Sequence, residues 1–368
     1  MPFDLSSVQI SDLDKHRRLS LPSGITPELS LETGIDFGDG SLFRSPIAGT
    51  RGSYYVYSIS QRFPDEWFGI ELLLKPLVER LYNLRPKSKR SSSGRNGINV
   101  YTYSKGLFLF KTLVLGLPSG TRSRDLVVPN ALTASAEYMR SFWAGYQYCD
   151  GSFYCQKLTC PVIRVTSSSS SLMSSLQDFA NLIGVNYGVG VDRPGVTTSL
   201  RICSEKSIKK WIEHVPLLNP VHAARFLLWS SQGECPPGLH LAQYLDLAIG
   251  AQEKRHFART PSTDRIEKSY LDETLRLVCV ACIGAGEVTR EELRVLANLW
   301  DTGHAITVSR DLRESGLVTE TCNNKTSRMQ LTERGRSRLA ELQTFWRQLT
   351  DINPNIPSLS CGTQEHLS

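Results

Sequence analysis

The chain has 368 residues, 40% of them hydrophobic and 21% charged, the proportions of an ordinary soluble globular protein long enough for two or three domains. No apolar run reaches the ~18 residues that cross a bilayer. The N-terminal MPFDLSSVQISDLDKHRR lacks the apolar core of a secretion signal, so the sequence predicts no membrane partner and a cytoplasmic location. The net charge of +6 is unevenly placed: from Arg80 to Arg124 there are ten Lys or Arg and no Asp or Glu, which suits a polyanion partner.

Taken in chain order, a helix is predicted from about Thr26 to Gly38, with Thr26 as N-cap and Pro27 at the first helical position. SYYVYSIS (53–60) reads as a strand and FPDEWFGIELLLKPLVERLYNL as a helix. INVYTYS (98–104) is a strand, and LFLFKTLVLGL (107–117) a buried strand or helix. Turn residues and Pro129 in LPSGTRSRDLVVPNAL close this first unit, 20–130. The order then repeats over 131–250: a helix at about 134–149, the strands FYCQKL and PVIRVTS, the helix SSLMSSLQDFANLIG, the strand TTSLRIC and the helix EKSIKKWIEHV. Residues 251–268 are polar and read as a linker.

Over 269–350 the pattern changes. SYLDETLRLVCVACI and EVTREELRVLANL are helices, the second with Thr289 and Glu292 in a capping box. HAITVSRDLRESG is a third helix ended by Gly316, LVTETC and RMQLT are two strands, and TERGRSRLAELQTFWRQL closes the chain as a helix. Three short helices and a two-stranded wing form a winged helix-turn-helix pattern, whose third helix enters a major groove. Thr307, Ser309, Arg310 and Arg313 on that helix, with Lys325 and Arg328 in the wing, are the candidate contacts.

Nine cysteines without framework spacing read as reduced thiols. Cys279 and Cys282 form a C-x-x-C inside the apolar LRLVCVACIG. With no second ligand pair behind them, they are read as core residues rather than a metal site.

The two repeated units share one local motif. GIDFGDGSL (34–42) and WAGYQYCDGSF (143–153) each place small residues four apart, Gly34 and Gly38 in the first, Gly145 and Cys149 in the second, and then end in Asp-Gly-Ser. Small residues at that spacing share one helix face and let two backbones approach closely. Packed together, these helices bring their C-terminal ends, and with them Asp39 and Asp150, side by side. Two such carboxylates repel unless a cation lies between them, and an oxygen pair of this kind suits Mg²⁺ (or Mn²⁺), which keeps its other positions for water and phosphate. The pair therefore predicts phosphodiester hydrolysis.

GIDFGDGSL and WAGYQYCDGSF resemble the two motifs of single-chain LAGLIDADG homing endonucleases, and the resemblance covers about residues 20–250. It implies an α+β fold of two pseudo-symmetric αββαββα units, each with a DNA-binding antiparallel sheet, followed here by the winged-helix domain. It also implies a site-specific, metal-dependent endonuclease acting as a monomer on double-stranded DNA, of the intron-homing type and nucleoid-associated. The acids that bind metal in that family correspond to Asp39 and Asp150. Gln61 and Arg62 resemble a Gln-Lys pair found beside the metals, and Lys157 is a further candidate for the scissile phosphate; each is equally readable as a surface strand residue. Lys87, Lys89, Arg90, Arg95, Arg122 and Arg124 are expected phosphate contacts.

Some residues depart from the family pattern. Glu32 and Asp36 stand where aliphatic side chains are usual, Gln147 is the counterpart of Asp36, and the place matching Gln61 and Arg62 in the second unit holds Ser167 and Ser168. The chain starts with Met and ends in EHLS rather than His-Asn, so an intein location is not expected. A non-catalytic LAGLIDADG/helix-turn-helix regulator and an RNA-splicing maturase are the alternative readings. A small-molecule enzyme has no support, since no phosphate-binding glycine loop or nucleophile motif is present.

Overall fold

The computed structural model describes residues 2–46, 53–91, 96–120, 124–193, 196–250, 264–323, 326–352, 354, 355 and 359. After a short α1 (Asp12–His16), α2 (Pro27–Asp39) leads into β1 (Gly40–Pro46) and β2 (Ser53–Arg62). A helical layer follows: α3 (Trp67–Gly69), a π-helical turn (Ile70–Leu74) and α4 (Lys75–Tyr82). β3 (Lys87–Arg90) and β4 (Gly97–Tyr103) complete an antiparallel sheet of order β1-β2-β4-β3. LFLFKTLVLGL is helical, as α5 (Lys105–Leu109) and a second π-helical turn (Phe110–Val114).

Next come the short α6 (Asn130–Thr133), α7 (Ala136–Asp150), β5 (Gly151–Gln156), β6 (Cys160–Ser167), α8 (Ser170–Leu182), β7 (Gly188–Arg193), β8 (Thr197–Ile202) and α9 (Glu205–His214). This sheet is again antiparallel, with the order β5-β6-β8-β7. In both sheets the strand that leaves a motif helix is an edge strand. One face of each sheet carries the core, Leu42, Ile59, Ile98 and Val100 in the first and Phe153, Ile163, Val165, Leu200 and Ile202 in the second. The alternating residues face away from that core.

α10 (Pro220–Gln232) and α11 (Leu241–Ala248) are not among the expected elements. Asn219 caps the first, Pro220 opens it and Gly233 closes it at φ 74°, so its boundary signals are all present in the sequence. The C-terminal part holds α12 (Asp264–Ile283), β9 (Val288–Thr289), α13 (Arg290–Leu296), α14 (Thr302–Glu314), β10 (Val318–Asn323), β11 (Thr326–Leu331) and α15 (Glu333–Ile352). Residues 264–268, expected as linker, are the first turns of α12. The strand pair expected as a wing, β10 and β11, gains β9 as a third strand, paired with β11. The Thr289/Glu292 capping box is present, and Gly316 ends α14's exit at φ 71°.

α2 and α7 cross at van der Waals contact of backbones. A Cβ on Gly34 would overlap the Phe142 carbonyl oxygen and lie 2.8 Å from the Tyr146 nitrogen. One on Gly145 would overlap the Leu31 carbonyl and lie 2.9 Å from the Ile35 nitrogen. Gly38 faces Cys149 across the same seam. Gly145→Val is therefore expected to force the helices apart and cost about 1–3 kcal/mol or more, read as a lower urea midpoint.

The C-terminal part is fastened to the rest by specific contacts: Phe68 against Trp346 with ring centroids 5.2 Å apart, Arg338 to Asp246 at 2.7 Å, and Ser88 donating to Asn298 at 2.5 Å. Among the described residues no helix is long and apolar enough to cross a membrane.

Candidate metal-binding and nucleic-acid-binding site

Both motif helices end at an aspartate followed by a glycine in extended conformation, Gly40 at φ −75° and Gly151 at φ −100°. Glycine is needed here for room rather than for a left-handed backbone, since a Cβ would strike Asp36 or Gln147 of the preceding turn. The chain thus passes directly from helix into β1 or β5, with Asp39 and Asp150 at the junctions.

The two carboxylates influence one another. Burial pushes the Asp39 pKa up to about 7, with the negative charges of Asp150 and Glu66 adding to the rise and hydrogen bonds from Cys149 and Gln61 opposing it. Asp150 rises to about 6 through burial, against a hydrogen bond from Tyr146. Gln61, on the core-side face of β2, donates from Nε2 to Asp39 Oδ2 at 2.8 Å, while its buried Oε1 has no partner among the described residues. Glu66 pins this strand end by accepting from the Arg62 backbone at 2.6 Å and from Asn219 at 2.8 Å. Cys149 lies beside the pair, its Sγ donating to the Ile35 carbonyl at 3.5 Å. Burial first, then Asp39 and Asp150, push its thiol pKa well up.

The donor set fits a hard divalent cation: two half-buried carboxylates with raised proton affinity, an orphaned amide oxygen next to them, and no Lys or Arg among the described residues hydrogen-bonded or ion-paired to either acid. Among those residues no group of three or more His, Cys, Asp or Glu forms a closed cage. Such a site leaves most of a cation's coordination to water and phosphate.

Residues 137–216 match the family described as a LAGLIDADG-like domain, a stretch that runs from α7 through α9 and includes Asp150. The chain is similar to solved structures of the homing endonuclease I-DmoI. Mesophilic variants share 19% identity over 51% of this chain and 94% of that one, with a TM-score of 0.39. For the complex of I-DmoI with DNA and Mn the values are 18%, 51%, 96% and 0.39. A lysine-to-alanine mutant of I-SmaMI shares 11% identity over 62% of this chain and 100% of its own, with a TM-score of 0.39. No curated protein matches.

Among the other candidate residues, several lie away from their expected positions. Lys157 is at φ 50° in the turn between β5 and β6, six strand residues beyond Asp150. At about 3.3 Å per residue that is roughly 20 Å away, too far to touch the same phosphate. Arg62 alternates to the face opposite Gln61 and is exposed, so the two do not act as a pair on Asp39. Arg90 is buried, its guanidinium 3.8 Å from the Phe63 ring centroid and 5.2 Å from that of Trp300; it joins β3 to the C-terminal part instead of reaching a phosphate. Ser309 is buried and donates to the Ala305 carbonyl, so it faces the core rather than a groove.

Thr307, Arg310 and Arg313 share the exposed face of α14, Arg313 reaching Glu320 at 3.4 Å. Arg328 is exposed and 3.7 Å from Glu287, and Lys87, Lys89 and Arg124 are exposed. Arg95, Arg122 and Lys325 lie outside the described residues.

The buried acids of α2, Glu32 and Asp36, have found a partner. Lys111, wholly buried, donates to both Glu32 oxygens at 2.7 and 2.8 Å and to Asp36 Oδ2 at 3.2 Å. Tyr57 and Tyr82 also donate to Glu32, at 2.5 and 2.9 Å. In α7 the counterpart Gln147 accepts from the Trp211 indole at 2.5 Å. Sequence reasoning missed Lys111, although a single cation inside LFLFKTLVLGL is itself the sign of a buried partner.

Proposed function

We propose that this chain is a divalent-metal-dependent endonuclease that cuts double-stranded DNA at a long, specific site. The meeting of Asp39 and Asp150 at the ends of two closely packed helices, flanked by two antiparallel sheets, supports this reading. These two carboxylates would hold Mg²⁺ (or Mn²⁺). The bound ion would supply an activated water and charge stabilisation at the leaving oxygen. Gln61 fixes the orientation of Asp39, and Glu66 fixes the strand end that carries Gln61. Ser167 takes the matching place in the second half and gives Asp150 no such support, so the two strands are expected to be cut at unequal rates.

The sheet faces turned away from the core would lie along the duplex, with Lys87, Lys89 and Arg124 neutralising phosphates. Residues 20–130 and 131–250 would be two related halves of one nuclease, which needs no second copy because both acids lie on one chain. Residues from about 264 to 350 would act as a winged-helix domain whose α14 presents Thr307, Arg310 and Arg313 to DNA, with Arg328 in the wing. Its attachment to β3 through Ser88 and Asn298 supports an extra footprint beside the first half. Such a protein would work at the nucleoid.

A random-sequence duplex pool incubated with the protein and Mg²⁺ or Mn²⁺ tests the reading: ends enriched for one motif are expected. Sequence-specific binding without any strand break would favour a non-catalytic regulator and overturn the nuclease.

A further inference from the structure

On the second sheet, Arg164 of β6 and Arg201 of β8 are direct cross-strand partners on the face away from the core. Two like charges placed opposite each other destabilise a sheet, so this pairing requires an explanation. Asp192 supplies it. β7 is irregular between Val191 and Arg193, and the extra residue turns the Asp192 carboxylate toward the pair. Its Oδ2 lies 2.5 Å from Arg164 Nη2 and its Oδ1 2.6 Å from Arg201 Nη2. Arg201 is further held by Ser199, which accepts from Nε at 3.1 Å, and its guanidinium lies against Gly190, where a Cβ would be only 3.3 Å from Cζ. Both arginine side chains stay accessible, at 33% and 40% exposure.

This arrangement differs from the basic residues of the first sheet. Lys87 and Lys89 on β3 are exposed and have no carboxylate partner among the described residues. Flexible, unpaired ammonium groups suit phosphates. The second sheet instead offers two planar forks in fixed orientation with a carboxylate wedged between them. A phosphate brought to that spot would meet the negative charge of Asp192 within a few ångströms. An uncharged base edge would not, and a guanidinium donating two hydrogen bonds matches the O6 and N7 acceptors of guanine. Each guanidinium has five N–H donors. Arg164 Nε is buried without a partner among the described residues and its Nη2 faces Asp192, while Arg201 gives Nε to Ser199 and Nη2 to Asp192, so the outward Nη1 groups are the ones left for a base edge.

We propose that Arg164 and Arg201, clamped by Asp192, form a base-reading site that selects guanine in the major groove at one place in the half-site covered by the second sheet. The proposal rests on the reading of this chain as a DNA-binding protein. Asp192 acts here as a positioning and discriminating residue: it aims both forks and keeps phosphates away.

Selection of bound sequences from a random duplex pool in EDTA, where cleavage cannot interfere, tests it. The wild type is expected to enrich a motif with one or two guanines that Arg164→Ala or Arg201→Ala loses. Discrimination at those positions should fall roughly 5- to 150-fold, the worth of one good fork, while the rest of the motif and the salt slope stay unchanged. Arg201→Gln, which keeps a hydrogen-bonding side chain in the sheet, should move one preference from guanine toward adenine. Asp192→Asn should tighten binding to unrelated duplex and steepen its salt dependence.

Uniformly weaker binding to all sequences by the alanine variants, with the salt slope lowered by about one each, would make them phosphate contacts and overturn the proposal. An unchanged motif in all three arginine variants would reduce the triad to an internal ion pair. Absence of any bound motif in the wild type would instead sink the DNA-binding reading itself.

Discussion

Replacing Lys111 by Met is expected to destabilise the protein by about 3–5 kcal/mol, the cost of leaving a buried charge without its partner. Lys111, Glu32 and Asp36 have no exposed side-chain surface, and the single ammonium balances two carboxylates while lying over the Tyr57 and Tyr82 rings at 4.2 and 5.6 Å. Without it, two carboxylates lie in the core with no ammonium to balance them. The loss is read from urea unfolding at pH 8. Adding Glu32→Gln and Asp36→Leu to Lys111→Met should recover much of the loss, because an apolar replacement of a whole buried ionic group is often neutral. A Lys111→Met protein as stable as the parent at pH 8 would show that the network contributes nothing.

The effect should extend to the proposed site. Asp36 is one turn before Asp39, and its carbonyl accepts the Gly40 N–H that ends α2. A last turn loosened by loss of the Lys111–Asp36 ion pair would let Asp39 drift from Gln61. Lys111→Met is thus expected to weaken Mg²⁺ binding even at temperatures where it remains folded.

What was legible in the sequence was local. Gly34, Gly38, Gly145 and Cys149 announce a close helix pair because small residues four apart must share a face, and Asp39 and Asp150 follow because each ends its helix. Strands β2, β4, β5, β6 and β8 announced themselves by alternation, and α14 by its apolar period, whereas the edge strands β1, β3 and β7, which begin in or consist of Gly, Ser and charged residues, did not. What stayed hidden depends on partners far along the chain. Glu32 and Lys111 are 79 residues apart, and only the folded chain brings the acids on α2 under the helical turn that carries the lysine. Arg90 read as one more member of a basic run, yet Trp300, 210 residues on by number, takes its guanidinium into a stack. Ser309 failed because a hydroxyl on a helix can satisfy itself by donating to its own preceding turn. Lys157 failed on distance alone: its nearness to Asp150 in sequence is undone by a strand that carries it away.

Asp39→Asn and Asp150→Asn are expected to remove double-strand cleavage and, in the absence of metal, to make the protein more stable. Burial raises the folded-state pKa of Asp39 to about 7, with the Asp150 charge adding to the rise, and that of Asp150 to about 6, from the usual 3.8. Between about pH 4 and pH 7 the folded protein therefore holds protons that the unfolded chain has already released. Stability contributed by these groups is full below about pH 4, declines as pH rises through that window and is flat above about pH 7. Each pKa unit corresponds to about 1.4 kcal/mol. Because both groups are partly exposed and share one repulsion, a combined penalty on the order of 3 kcal/mol at pH 8 is the reasonable scale. The double Asn variant escapes it, since an amide is neutral at every pH. Thermal unfolding in EDTA should show the variant above the wild type at pH 8 and level with it near pH 4. Mg²⁺ should raise the wild type at pH 8 and leave the variant unmoved, because a cation offsets the same repulsion that Asn removes. Equal stability of the two proteins at pH 8 in EDTA would mean that Asp39 and Asp150 do not repel, and with that the physical case for a cation between them would fall.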